Sequence, residues 1–262
     1  MDNTGFKLWY TGTTSNKNGG VLIDKSLNDG VVEVRRQGDR IILVKLVISD
    51  MVLNVISAYA PQVGHDESAK RLFWEDLDRL VRAVPSNEKL FIGGDLNGHV
   101  GTSSAGFETV HGDFRYGSRN QEGEKILDFA IAFDLMIDNT FFHKRQSHLV
   151  TFSSVQYSSQ IDFVHTRMRD KRTCVDCKVT PGECVVAQHK LVVADFRFLV
   201  QARGNKQARV TRTKWWKLEG EASKVFKEKI IEEGPCNDEG DANNMWEKMT
   251  TCARKVASKV LE

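Results

Sequence analysis

The stretch Lys89-Leu90-Phe91-Ile92-Gly93-Gly94-Asp95-Leu96-Asn97-Gly98 decides how the chain folds and what it can do. Its apolar run has the length of a short buried strand, and the glycine pair that follows frees the backbone to turn sharply. A carboxylate, Asp95, and an amide, Asn97, then stand almost side by side at the strand end. An acid that can take a proton from water, beside an amide that can hold that water, suits hydrolysis at a phosphate. The same residues also suit a plain turn in which each bonds its own backbone.

Upstream, Val21 to Ile23, Val31 to Val34, Arg40 to Ile48 and Val52 to Tyr59 are rich in Val, Ile and Leu. Asn28-Asp29-Gly30, Gln37-Gly38-Asp39 and Ser49-Asp50 separate them, so these strands are antiparallel neighbours. Between Ser68 and Val84 the period changes: Leu72, Phe73, Leu77, Leu80, Val81 and Val84 mark one apolar helical face, which Pro85 ends. Downstream, Gly98 to Gly123 reads as a long glycine-rich loop, and Ile126, Leu127, Phe129, Ala130 and Phe133 as the buried side of a second helix. Strands resume at Leu135 to Ile137, Leu149 to Phe152, Ile161 to His165, Thr173 to Val179 and Leu191 to Phe198. Strands in both halves with few helices predict an α/β sandwich of two packed sheets flanked by helices.

After about residue 200 the character shifts. Arg203, Lys206, Arg209, Arg212, Lys214 and Lys217 occur with no acid between Asp195 and Glu219, and Trp215 and Trp216 lie inside that run. Such a segment can hold phosphates and stack on bases, or be a solvated linker. Two amphipathic helices follow, Glu219 to Glu233 and Ala242 to Leu261, as an extension outside the main core. The 262 residues carry 40% hydrophobic and 27% charged side chains, with a formal net charge of +2. That composition allows a large core, and the charge alone does not require nucleic acid. No apolar run is long enough to span a membrane. Met1 to Gly5 lacks the basic start and apolar core of a secretory signal. Five cysteines, an odd number, fit a reducing, intracellular setting.

Four short patterns fall at strand ends: Ser57-Ala58-Tyr59-Ala60-Pro61, Gly94-Asp95-Leu96-Asn97, Ser159-Gln160-Ile161-Asp162-Phe163 and Ala187-Gln188-His189. Together they offer a phenol, two carboxylates, an amide and an imidazole, a set able to hold a phosphate, activate water and stabilise added charge. Taken jointly they resemble the endonuclease/exonuclease/phosphatase family, which includes deoxyribonuclease I. The wider text, Asn54 to Gly101 and Asn120 to Val193, is similar to the endonuclease domain of LINE-type, RTE/BovB-like non-LTR retrotransposons. The resemblance implies a four-layered α/β sandwich of the deoxyribonuclease I-like type over residues 1–200. It further implies a basic linker and helices over 201–262, like the segment before reverse transcriptase. DNA is the implied partner, Mg²⁺ (or Mn²⁺) the implied cofactor, strand nicking the implied reaction, and the nucleus the implied setting.

By the same resemblance Asp95 activates the attacking water, and Asn97 positions water and phosphate. His189 contacts the phosphate, Asp162 bonds the His189 imidazole, and Tyr59 bonds a phosphate oxygen. Two departures stand out. The family has an Asp immediately before the catalytic His, where this chain has Gln188, an amide that assists phosphate or metal geometry without its charge. The family also opens with a strand bearing an Asn and a second strand ending in a metal-binding Glu. No acid before Tyr59 sits in that context, so the chain is expected to be N-terminally truncated, lacking the primary metal ligand and weakened in nicking unless an upstream fragment supplies the strands. Two other readings stay open: a non-catalytic nucleic-acid-binding remnant, and hydrolysis of small phosphate esters on the same fold. Cys174, Cys177, Cys184 and His189 have zinc-like spacing, but residues three apart on a strand face opposite sides, which argues against a tetrahedral site.

Overall fold

The computed structural model describes residues 5–12, 19–112, 114, 116–186, 188–198, 218–232 and 242–260. Contacts divide the chain into two units, Met1–Leu199 and Val200–Glu262.

The first unit opens with a two-stranded antiparallel ladder, β1 (Phe6–Tyr10) with β2 (Gly20–Asp24). Then β3 (Val31–Gln37), β4 (Ile41–Ile48) and β5 (Met51–Ala58) form an antiparallel meander. Helix α1 (Glu67–Ala83) carries the chain back, so β6 (Lys89–Asp95) lies parallel to β5. After α2 (Gln121–Ala132) come β7 (Leu135–Ile137), β8 (Phe152–Ser153), β9 (Ser158–Ser159) and β10 (Asp162–Arg167). The long hairpin β11 (Cys174–Val186) and β12 (His189–Phe196) completes the unit. A six-stranded mixed sheet runs β3-β4-β5-β6-β10-β7, and a four-stranded sheet runs β11-β12-β8-β9. The second unit contains α3 (Glu221–Glu232) and α4 (Ala242–Val260), which pack on each other.

The near-continuous apolar run of β4 has a simple cause: the strand is buried on both faces. Ile41 and Leu43 join Phe73, Leu77, Leu80, Ile126 and Leu127 in the core beneath the two helices. Ile42, Val44 and Leu46 point the other way, against Ile23, with Trp9 and Val21 of the β1–β2 ladder over them. Each fully buried Ile or Leu contributes about 1.5–3 kcal/mol relative to exposure. Helix α2 is capped by Asn120, whose Oδ1 accepts from Gly123 N at 2.8 Å and from His99 N at 2.9 Å.

Several sequence expectations change. The Gly93-Gly94 pair does not turn; β6 runs through it to Asp95. Gly94 is glycine because a Cβ there would lie 1.9 Å from the Ala58 carbonyl oxygen, and because its φ is +150°. The turn comes at Asn97, whose φ of +50° an Asn tolerates. Strand β1 lies outside the sequence expectations. Its Phe6, Leu8 and Tyr10 are exposed, which hides the usual inward alternation. The strand expected from Leu149 begins only at Phe152, after a 3₁₀ turn over Gln146–His148. Strand β11 continues past Val179 through Pro181-Gly182, with register shifts between Thr180 and Cys184. A further irregularity between Cys174 and Asp176 turns both Cys174 and Cys177 inward, so they do not face opposite sides. No helix among the described residues is long and apolar enough to cross a membrane.

Candidate active site

Four segments meet at one end of the six-stranded sheet. Tyr59 follows the last residue of β5, Asp95 ends β6, Asp162 begins β10 directly opposite Asp95, and His189 begins β12. Ala60 N donates to the Asp95 carbonyl at 2.8 Å and Leu96 N to the Ile161 carbonyl at 2.9 Å, which locks the three neighbouring strand ends together.

His189 Nδ1 lies 3.1 Å from Asp162 Oδ2, a hydrogen bond, while its Nε2 lies 3.9 Å from Asp95 Oδ2, too far for one. One ligand-type atom from each of Asp95, Asp162 and His189 falls within 4.8 Å of the others, and no other such group occurs among the described residues. Burial first, then the facing charge of Asp162, push the Asp95 carboxyl up to about 7; the Asn97 N–H, donating to Asp95 Oδ1 at 2.9 Å, opposes them. The Asp162 hydrogen bond raises His189 above its ordinary value. The trio lines one end of an open cavity of about 980 Å³ whose walls are β2, β5, β6, β10 and β12. Phe91, Leu191, Phe196 and Phe198 line its apolar remainder. Among the described residues, β12 beyond Lys190 is laddered only on its β11 side.

The other expected residues take varied places. Tyr59 lines the same cavity. Asn97 stands beside Asp95, but its Nδ2 donates to the Ala60 carbonyl at 2.8 Å and so braces the backbone. Gln188 is exposed in the β11–β12 turn at φ +76°, with its carbonyl accepting from Ser153 N at 2.9 Å. Arg203, Arg209, Arg212, Lys214, Trp215 and Trp216 lie outside the described residues. The cysteines do not gather with His189: Cys184 is exposed, and burial pushes the thiols of Cys174 and Cys177 up.

Supporting residues went unread in the sequence because nothing in their spacing marks them. Buried Thr151 accepts at Oγ1 from Ile161 N at 3.0 Å and Asp162 N at 3.1 Å, while its carbonyl takes Lys190 N at 2.8 Å. It therefore sets the backbone of both acid and imidazole strands. Asn139 donates to the Asp162 carbonyl at 3.0 Å, and Phe152 packs edge-on against the His189 ring at 5.0 Å. Next to Asn139, Asp138 is wholly buried; Thr166 Oγ1 donates to its Oδ1 at 3.0 Å, and burial pushes its carboxyl up to about 7. Arg40 lies across the β4–β5 ladder from Tyr59. Its carbonyl takes Tyr59 N at 2.9 Å, its Nη1 donates to the Tyr59 carbonyl at 3.3 Å, and its guanidinium stands 5.3 Å from the Tyr59 ring.

No protein-family model matches the chain. Craniofacial development protein 2 of Bos taurus is 31% identical over 194 residues, which is 72% of this chain and 32% of that protein. The chain thus spans about a third of the length of the curated relative it matches. Among solved structures, the endonuclease domain of TRAS1, a telomere-specific non-LTR retrotransposon, superposes with a TM-score of 0.54 at 15% identity, covering 74% of this chain and 81% of that one. The 3′ phosphatase NExo from Neisseria, bound to a product DNA hairpin, gives 0.54 at 13% identity over 74% and 80%. At these identities the superpositions speak to the fold. The chain is homologous to craniofacial development protein 2, and its fold is that of the endonuclease/exonuclease/phosphatase, deoxyribonuclease I-like, proteins.

Proposed function

We propose that the chain is a DNA phosphodiesterase of retrotransposon origin that nicks a strand by hydrolysis with a divalent metal. The convergence of Asp95, Asp162 and His189 at one rim of the sheet carries this reading. Asp95 takes the proton of the attacking water as its oxygen bonds to phosphorus. His189, held with Nδ1 toward Asp162, presents Nε2–H to a phosphate oxygen and offsets the added charge. The Tyr59 hydroxyl donates a hydrogen bond to a second phosphate oxygen. The P–O bond opposite the water breaks, and the leaving alkoxide takes a proton from solvent.

The donor set suits a divalent cation: two carboxylates crowd one small volume, and a hard ion such as Mg²⁺ or Mn²⁺ prefers oxygen. Asp95 and Asp162 would hold the ion, which when bound supplies Lewis-acid polarisation of the phosphate. No third carboxylate joins Asp95 and Asp162 among the described residues, and this favours weakened nicking. Extended strands from an upstream fragment, laid in the open cavity, would bring the missing acid. Residues 1–200 would form the nuclease unit. Residues 201–262 would form a linker and helices, with Arg203, Arg209, Arg212, Lys214, Trp215 and Trp216 gripping DNA in the nucleus. The same lack of a third acid supports a second reading, a nucleic-acid-binding remnant without catalysis.

Incubating supercoiled plasmid with the protein and Mg²⁺ or Mn²⁺, beside Asp95→Asn, tests the proposal. Nicking should fall about 10²–10⁴-fold in the variant, the range of one acid–base group. Equal nicking by both proteins would remove Asp95 from the chemistry. Binding without nicking by either would leave the second reading.

A further inference from the structure

We propose that a basic cavity beside β11 is an anion site for a phosphate monoester, separate from the group around Asp95. His143, Lys144, Arg145, His148 and Lys178 line this hollow of about 430 Å³. Each is a cation or an imidazole, and none of them lines the cavity that holds Asp95, Asp162 and His189. The site therefore stands apart from the nicking reaction.

Like charges gathered in one hollow repel, so such a cluster calls for a counter-charge. The acid at hand is Asp176 of β11, and both of its oxygens are engaged. Lys144 Nζ lies 2.5 Å from Oδ1 and Lys178 Nζ 3.2 Å from Oδ2. Asp195 stands across the β11–β12 ladder from Asp176 and, like it, does not line the hollow. Lys144, Arg145 and Lys178 less Asp176 leave two positive charges. A phosphate monoester carries about −1.5 to −2 near neutral pH and matches them, whereas a backbone diester carries a single charge. The volume is also that of a small-ligand pocket rather than of a track for a duplex.

The donors are held in place. Asp176 ties Lys144, in the loop before β8, to Lys178 of β11. His148 Nδ1 donates to the Val179 carbonyl at 2.9 Å, which fixes its ring beside them. Phe114 packs edge-on against the His143 ring at 5.0 Å. Arg145 is exposed, and no carboxylate of a described residue pairs with its guanidinium. Its planar fork takes two oxygens of one phosphate and leaves the third terminal oxygen of a monoester to the lysines. His143 and His148 add N–H donors when protonated. Two sources share this chemistry: a free monoester, and the phosphorylated end of a nucleic-acid strand.

The test is an NMR titration of the full chain with methyl phosphate at constant pH and ionic strength, following the His143 and His148 ring resonances. Both should shift and saturate. Arg145→Gln and Lys178→Gln should each raise Kd about 10-fold, as loss of a charged hydrogen bond does, and dimethyl phosphate should bind about 10-fold more weakly than methyl phosphate. Arg145→Lys, which keeps the charge without the fork, should lose less than Arg145→Gln. Fluorescence anisotropy with labelled single strands in a chelator separates the sources. Tighter binding of a 5′-phosphorylated strand than of its 5′-hydroxyl twin, lost in Arg145→Gln, assigns the site to a strand end. Equal binding of the two strands, with saturable methyl phosphate shifts, assigns it to a free monoester. Shifts that do not saturate, that persist unchanged in Arg145→Gln and Lys178→Gln, or that dimethyl phosphate reproduces at equal concentration overturn the proposal. Plasmid nicking reads the Asp95 group, so either reading fails without the other.

Discussion

Asp138→Asn should make the protein more stable above neutral pH, and the gain should vanish in acid. Burial pushes the Asp138 carboxyl from its ordinary 3.8 to about 7, so the folded protein holds a proton there that the unfolded chain releases. Below about pH 4 the group is protonated in both states and its contribution to stability is complete. As pH rises through 7 the folded state must either ionise a buried carboxyl or retain a proton at growing cost, and the contribution is lost. About three pH units, at about 1.36 kcal/mol each, set the span at up to about 4 kcal/mol. Asn keeps the oxygen that accepts from Thr166 and does not titrate, so any packing change is the same at every pH. Urea unfolding of both proteins, followed by tryptophan fluorescence from about pH 4 to 8, should show a gap that widens in the variant's favour. Asp95 titrates in both proteins and cancels from the difference. A gap constant to within about 1 kcal/mol across that range would refute the reasoning, since the shift and the span are the same quantity.

Other outcomes follow from the site and its supports. Asp162→Asn should lower the His189 pKa toward its ordinary value, read from the imidazole resonances in an NMR pH titration; an unmoved midpoint would dissociate the pair. Thr151→Val should cost about 1–3 kcal/mol in urea unfolding by stranding the N–H groups of Ile161 and Asp162, and a loss under about 0.5 kcal/mol would show that water replaces the hydroxyl. Gly94→Ala should destabilise by at least about 3 kcal/mol, because the new methyl meets the Ala58 carbonyl; soluble, wild-type-like melting would disprove the close approach.

Much of this architecture was legible wherever burial is periodic. The period-four face of α1 and the three hairpin-linked strands before it follow from apolar spacing and turn residues alone. Where a strand departs from simple alternation the sequence misleads. β1 shows its large apolar residues to solvent, and β11 absorbs Pro181-Gly182 through shifted register. The glycine pair before Asp95 looks like a turn because sequence does not reveal that Ala58 presses on its backbone. The acids and the imidazole announce themselves by standing at strand ends, and the sheet order brings Asp95, Asp162 and His189 together. Thr151, Asn139 and Arg40 do not: each acts through backbone atoms of another segment, and only strand register tells which one.

The meander of β3, β4 and β5 joins sequence neighbours through short turns, and its middle strand is covered on both faces. Chain closure there costs little entropy, which favours early pairing of these strands. The chemistry is assembled in the opposite temporal sense, for Asp162 waits on β10 and His189 on the last hairpin. A nascent polypeptide emerging from the ribosome thus displays Arg40 and Tyr59 well before it owns the imidazole. The group of Asp95, Asp162 and His189 is complete only once synthesis has passed the start of β12.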